Sequence, residues 1–298
     1  MKVLNFGSLN VDYVYQVDHI LLPGETLASS ERNIFCGGKG LNQSIALAKA
    51  GAPVYHAGLI GKGGEILQRE LSENGVDTSL LKETDTDCGH TVIQVDKNGQ
   101  NSILLYGGSN RAITKEYVDH VLSFFSEGDY LVLQNEINEL PYIIEEAYKK
   151  GMVIVLNPSP FDENLSACDL SRVTLFLINE VEGFQISGEK EPEKILKEIR
   201  KAYPKAKVVL TLGSEGSVYQ DGEQLYRQEI FPVKAVDTTA AGDTFTGYFL
   251  SAMIEGKSPA QALRLASKAS SISVTRPGAA GSIPRRNEVE ELLSKEGE

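Results

Sequence analysis

Cysteine is scarce in this chain. Cys36, Cys88 and Cys168 are odd in number and widely spaced, which argues against both a disulfide framework and a zinc site. All three read as buried or incidental thiols. Basic side chains are in the minority, 29 against 41 acidic ones, so neither a nucleic-acid backbone nor an anionic membrane surface is expected as the main partner. No run of about 18 consecutive apolar residues is present. The opening Met1-Lys2-Val3-Leu4-Asn5-Phe6-Gly7-Ser8 meets glycine and polar residues too early for a signal-peptide core. A soluble, cytoplasmic protein is the expectation. Internal repeats, low-complexity segments and proline- or glycine-rich linkers are also missing, so residues 1–298 are read as one domain. The common nucleotide-binding fingerprints fail as well. Lys39 is not followed by Ser or Thr and Asn33 stands where a P-loop glycine belongs, Ser251 does the same before Gly256-Lys257-Ser258, and no Rossmann pattern occurs.

What the chain does contain is a βα rhythm. Short apolar runs at Val54–Ile60, Tyr130–Gln134, Val153–Leu156, Val173–Ile178 and Val208–Leu212 alternate with amphipathic segments. This predicts a three-layer α/β/α fold, a mainly parallel sheet with helices on both faces. Val118, Val121, Leu122 and Phe125 recur at helical spacing, and Leu140–Lys150 stops at Gly151 as a glycine-terminated helix does. Ser258-Pro259-Ala260-Gln261 is a capping box with proline at the first helical position, so a helix should run from there to about Val274. Segments 10–17 with 29–36, and 89–95 with 101–106 joined by Asn98-Gly99, read instead as antiparallel pairs. They predict a small β lid whose outer face could pair with a second copy, because a small sheet needs its apolar side covered.

Two clusters point to chemistry. In Asp237-Thr238-Thr239-Ala240-Ala241-Gly242-Asp243-Thr244-Phe245-Thr246-Gly247, small residues lead into an apolar helix whose first N–H groups are left bare for an anion. Asp243 lies in that first turn, where the helix dipole keeps a carboxylate ionised beside the anion. Taken alone, the pair reads more simply as a first-turn acid with packing alanines. The second cluster, Gly37-Gly38-Lys39-Gly40-Leu41-Asn42-Gln43, is a glycine-rich turn entering a buried helix, where a ligand can approach the backbone closely. Taken alone, such a turn reads by default as packing.

Together with Gly7-Ser8-Leu9-Asn10-Val11-Asp12, Asn179-Glu180-Val181-Glu182 and Thr211-Leu212-Gly213-Ser214-Glu215-Gly216, and in this order along essentially the whole chain, these segments resemble the ribokinase family of sugar kinases. The resemblance implies ATP-dependent phosphorylation of the terminal hydroxyl of D-ribose or a similar pentose. A deoxyribose, a ketohexose or a nucleoside is an alternative acceptor, and an inactive sugar-binding regulator is the reading from another class. It implies that Asn10, Asp12, Gly38, Lys39, Asn42 and Glu136 hold the sugar, that Asp243 is the general base, and that the backbone of Ala240, Ala241 and Gly242 forms the anion hole. For the nucleotide it implicates Asn179, Thr211, Gly213, Ser214, Gly216 and Ser267, with Glu182 acting on Mg²⁺ through waters. Asp237, Thr239, Ser273, Arg276, Gly278 and Ser282 would surround a K⁺-type cation, and a homodimer through the lid is expected. The chain departs from the family at Gly61-Lys62-Gly63-Gly64, where an acidic residue is usual. It is also more polar than expected at His90 and Thr91, which makes both candidates for sugar contact.

Overall fold

The computed structural model describes residues 1–295. The chain opens with β1 (Val3–Phe6), β2 (Asn10–Gln16), β3 (Glu31–Gly37), α1 (Lys39–Lys49), β4 (Val54–Lys62), α2 (Glu65–Glu73) and β5 (Asp77–Asp87). The middle carries β6 (His90–Val95), β7 (Asn101–Tyr106), α3 (Lys115–Leu122), β8 (Tyr130–Gln134), α4 (Leu140–Lys149), β9 (Val153–Asn157) and β10 (Leu175–Asn179). It closes with α5 (Glu180–Ser187), α6 (Pro192–Ala202), β11 (Lys207–Thr211), β12 (Ser217–Asp221), β13 (Gln224–Gln228), α7 (Ala241–Ile254), α8 (Pro259–Ser273) and α9 (Arg286–Lys295). No helix here is long and apolar enough to cross a membrane.

Nine strands form the central sheet in the order β13-β12-β11-β10-β9-β8-β1-β4-β5. Every pairing is parallel except the β11-β12-β13 edge. Side-chain alternation divides the core in two. Val3, Val132 and Val209 join the cluster with α1, α7 and α8, whereas Leu4, Leu131 and Val208 face α3, α4 and α6. The expected runs all became strands, but Val173 follows a short 3-10 turn and the β10 strand starts at Leu175.

β1 sits where the strand order reverses, with β4 on one side and β8 on the other. In open α/β sheets that is where a crevice forms beyond the carboxyl ends of the strands. A second sheet, β3-β2-β6-β7, stands over this crevice. Its β2-β3 and β6-β7 pairs are antiparallel as expected, and β2 meets β6 in parallel. The turn at Asn98-Gly99 is wider than a two-residue hairpin: the Asp96 carboxylate accepts from the amides of Asn98 (2.8 Å) and Gln100 (2.9 Å).

The floor of the crevice depends on how closely α1 and α7 cross. A Cβ added at Gly247 would lie 2.4 Å from the Ala46 Cβ and 2.6 Å from backbone atoms of Ala46 and Leu47. Ordinarily Gly→Ala inside a helix stabilises by about 1 kcal/mol. Here the rigid contact opposes it, and Gly247→Ala is expected to destabilise by about 1–3 kcal/mol. Chemical denaturation measures this directly; a stabilised Gly247→Ala would contradict the packing.

Candidate active site

Residues from distant parts of the chain converge at the carboxyl ends of β1, β8 and β10. Gly38, with φ of 93°, takes a left-handed conformation open to glycine and starts α1 beneath Ser8 and Asn10. The turn delivers Lys39 and Asn42 beside Asp243, which is buried in the first turn of α7. Both oxygens of Asp243 are held: Asn42 Nδ2 donates to Oδ2 (3.1 Å) and Gln43 Nε2 to Oδ1 (2.9 Å). The other amide atom of Asn42, Oδ1, is buried with no protein partner among the described residues. A buried acceptor left open costs about 1–3 kcal/mol, so it is a place for a ligand hydroxyl.

Glu136, just beyond β8, accepts from the Lys39 amide (2.9 Å) and from the Ser8 hydroxyl. Burial raises the Glu136 carboxyl above its ordinary value, against the opposing pull of Lys39. Burial likewise works against the Lys39 charge, but Asp243, Glu136 and Glu182 outweigh it and hold Lys39 above the usual lysine value. Asp12 accepts from the Thr91 hydroxyl at 2.6 Å. Burial pushes the Asp12 carboxyl up to about 6; the Thr91 bond works downward and Glu136 adds to the rise. Asn10 is fixed from behind by Asn110, whose Nδ2 donates to Asn10 Oδ1 at 2.8 Å.

His90 and Thr91 part company. Thr91 pairs with Asp12 on the crevice side, whereas His90 pairs with Val11 and turns to the opposite face, between the rings of Tyr13 and Tyr106. His90 therefore points away from the Asp12–Thr91 pair, because adjacent strand residues point to opposite faces.

The anion-binding end differs in detail from expectation. Ala240 caps α7 in the left-handed region, φ 59°, a strained position for a residue with a Cβ. The Ala241 N–H donates to the Thr238 carbonyl (3.2 Å), and Thr244 N–H to the Ala240 carbonyl (2.8 Å). The amides of Gly242 and Asp243 lie between them without a protein acceptor among the described residues. A Cβ on Gly242 would meet nothing within 4 Å, so this end of the helix is open. The Ala240 N–H likewise has no protein acceptor among the described residues, so of the three amides expected here only that of Ala241 is taken up.

The remaining predicted residues fall into two groups. Asn179 and Glu182 form a capping box at α5: Glu182 N–H donates to Asn179 Oδ1 (2.9 Å), and Asn179 N–H to Glu182 Oε2 (3.0 Å). Thr211 ends β11, Gly213, Ser214 and Gly216 follow it at the same end of the sheet, and Ser267 lies half-buried on α8. Gly216 is required by its own chain, since a Cβ there would sit 2.1 Å from the Gln228 carbonyl. At the other group, the Asp237 carboxylate accepts from Thr239 N–H (2.9 Å), Thr239 Oγ1 (2.6 Å) and Gly278 N–H (2.9 Å). Burial opposes the Asp237 charge, but these donors prevail and hold it below the ordinary aspartate value. Ser273 and Ser282 are buried, each hydroxyl bonded to a nearby carbonyl. The Arg276 side chain leaves this loop to pair with Glu288.

Gln43 and Ser8, present in the motifs but given no role by the sequence, bond to Asp243 and Glu136, and Gln134, Asn5 and Asn110, in no motif, support Gln43 and Asn10 from behind. Their signal was polarity in apolar surroundings, as in Val3-Leu4-Asn5-Phe6.

The profile of pfkB family carbohydrate kinases matches residues 1–286. The ribokinase of Bacillus subtilis is 36% identical over 295 residues, covering 97% of this chain and 98% of its own. That of Haemophilus influenzae is 34% identical over 296 residues, with 96% of each chain covered. Among solved structures, the ribokinase of Thermotoga maritima superposes with a TM-score of 0.88 at 34% identity, covering 99% of both chains. Arabidopsis thaliana ribokinase complexed with ribose and ATP gives 0.87 at 30% identity, covering 98% of both.

The raised Asp12 carboxyl has a consequence for stability. An acid that holds its proton more tightly when folded loses stability as pH rises from its unfolded value, about 4, through its folded value of about 6. Asp12→Asn removes that loss. Its melting temperature relative to the parent is expected to be higher at about pH 8 than at about pH 4.5; a difference independent of pH would show that Asp12 is not titrating there.

Proposed function

The chain belongs to the pfkB family of carbohydrate kinases and has the ribokinase-like fold, and from that premise we propose that it transfers the γ-phosphoryl group of ATP to the terminal hydroxyl of D-ribose, giving ribose 5-phosphate and ADP. The observation that carries this reading is Asp243: a buried carboxylate gripped by two amides, beside two unoccupied helix N–H groups and facing a polar crevice.

In the sugar site, the open Asn42 Oδ1, the carboxylates of Asp12 and Glu136, and the Lys39 ammonium offer acceptors and a donor to a polyol. Two carboxylates against one ammonium favour a neutral sugar and repel a phosphorylated one. That ribokinases are the relatives, one of them solved with ribose and ATP, supports ribose over a ketohexose or a nucleoside. Asp243 receives the hydroxyl proton as the new O–P bond forms and the bond from the γ-phosphorus to the bridging oxygen breaks, ADP leaving with that electron pair. In a loose phosphoryl-transfer transition state the positioning of such a base counts for more than its strength. The amides of Gly242 and Asp243 stabilise charge on the transferring group.

Mg²⁺, where bound with ATP, neutralises phosphate charge. Glu182 fits a water-mediated role toward it: each carboxylate oxygen is used once in the capping box and keeps acceptor capacity for metal-bound water. Near Asp237, Oδ1 accepts from both the N–H and the hydroxyl of Thr239 while Oδ2 accepts only from Gly278 N–H, so Oδ2 and backbone carbonyls, hard oxygens, are the donors left for a K⁺-type cation. We place the protein in the cytoplasm. We also propose that two copies join through their lids, which expose Ile34, Phe35, Ile103, Leu104, Leu105 and Tyr106.

The test is a coupled ADP-release assay with ATP and Mg²⁺ across ribose, deoxyribose, fructose, adenosine and inosine, in K⁺ and in Li⁺. Turnover is expected on ribose, favoured by K⁺, with Asp243→Asn reduced at least about 100-fold. Silence on every compound would leave only a binding role, and near-normal turnover in Asp243→Asn would remove it as the base. Light scattering should give a dimer at micromolar concentration; a monomer would refute the lid interface.

A further inference from the structure

Behind Asp243 a line of buried polar groups runs across the α1/α7 face of the central sheet, where apolar side chains would otherwise fill the core. Gln43 Nε2 donates to Asp243 Oδ1 (2.9 Å), and Gln134 Nε2 donates both to Gln43 Oε1 (2.7 Å) and to Asn5 Oδ1 (3.0 Å). Asn5 Nδ2 donates to the Gly40 carbonyl (2.7 Å) and to Ser44 Oγ (2.8 Å), and Ser44 Oγ lies 2.7 Å from His56 Nδ1. Gln43, Gln134, Asn5, Ser44 and His56 are all completely buried.

The line has only one consistent direction. An ionised carboxylate only accepts, so the Gln43 amide must turn its nitrogen to Asp243 and its oxygen to Gln134. Gln134 then presents nitrogen to both Gln43 and Asn5, which leaves the Asn5 nitrogen facing Gly40 and Ser44. Ser44 accepts from Asn5 and lies against His56 Nδ1, where either atom can donate, and His56 is neutral. Burial agrees, pushing His56 down to about 3 despite a backbone bond near Gly7. Three amides in series cannot relay a proton, so the line is a clamp and the proton taken by Asp243 leaves on the substrate side.

We propose that Gln43 is a positioning residue for Asp243, its amide locked by Gln134 and Asn5 so that the carboxylate is held in one orientation and aimed at the sugar hydroxyl. This deepens the kinase reading above and rests on it. The other charged groups that act on Asp243 are Lys39 on α1 and Glu136 beyond β8, with Glu182 at the start of α5 acting on Lys39, and the side-chain hydrogen bonds of Gln43 go instead to Asp243 and Gln134.

The test uses the full chain with ATP and the sugar found to turn over. Gln43→Met keeps length and removes the donor; kcat is expected to fall about 10- to 100-fold, the scale of a misplaced catalytic group. The sugar dissociation constant, measured by calorimetry, should change less than about threefold, because Asn42 rather than Gln43 faces the ligand. Gln43→Glu puts a second carboxyl against Asp243, and the acid limb of the kcat–pH profile should move up by at least about one pH unit. A residue that only fills space would not move that limb. Gln134→Met, one link further back, should lower kcat in the same direction and carries the test if Gln43→Met does not fold. Kcat within about threefold of the parent in these variants, or a Gln43→Glu acid limb that stays in place, would overturn the inference. Asp243→Asn run alongside separates the two claims. Full turnover there would defeat the base assignment itself, whereas its loss with silent Gln43 variants would defeat only the role of Gln43.

Discussion

Everything at the crevice depends on holding one carboxylate in a fixed orientation below the surface. Asp243 is buried, and a buried charge is tolerated only when its oxygens are hydrogen-bonded and opposite charge or a dipole is near. Asn42 and Gln43 supply the bonds, Lys39 the charge, and the start of α7 the dipole. Three of these four come from the first helical turns of α1, so α1 and α7 must cross closely and in one register. The absence of a side chain at Gly247 permits that crossing, and the glycine turn at Gly38 sets where α1 begins.

The sheet order explains why the parts meet. With β1 between β4 and β8, the segments leaving β1 and β8 diverge, and Ser8 to Asp12 on one side faces Glu136 on the other. The small sheet contributes its inner face, Asp12 and Thr91, as a wall of the same crevice. Its other face and its edge strand β7 carry exposed apolar side chains. Exposed apolar side chains lie on both faces of this small sheet: Phe35 and Leu105 are the register partners of Asp12 and Thr91, whereas Ile34 and Tyr106 are those of Tyr13 and His90.

How much of this was legible in the sequence follows from how local each feature is. Gly38, Asn42 and Asp243 could be read because a glycine turn and a helix start are set by neighbours in the chain, and the structure brings them together. The βα rhythm likewise placed the runs at β4, β8, β9, β10 and β11. The side on which His90 points was not legible, since it depends on the parallel pairing of β6 with β2, about 80 residues away in the chain. Nor was the spent amide of Ala241, fixed by a carbonyl at Thr238. Asn5 and Gln134 interrupt apolar strands, and such a residue alone does not reveal its partner. Only the fold shows that the two meet at 3.0 Å and lead to Asp243 through Gln43. The long, mostly exposed β5 and the β12-β13 edge hairpin escaped because their side chains carry little apolar run.

The central claim is geometric, that the base, the acceptor hydroxyl and the helix amides share one small space. A crystal structure with ribose and a non-hydrolysable ATP analogue tests it most directly. The terminal hydroxyl is expected within hydrogen-bonding reach of Asp243, and the terminal phosphate against the amides of Gly242 and Asp243. A hydroxyl turned away from Asp243, or a phosphate seated elsewhere, would contradict it.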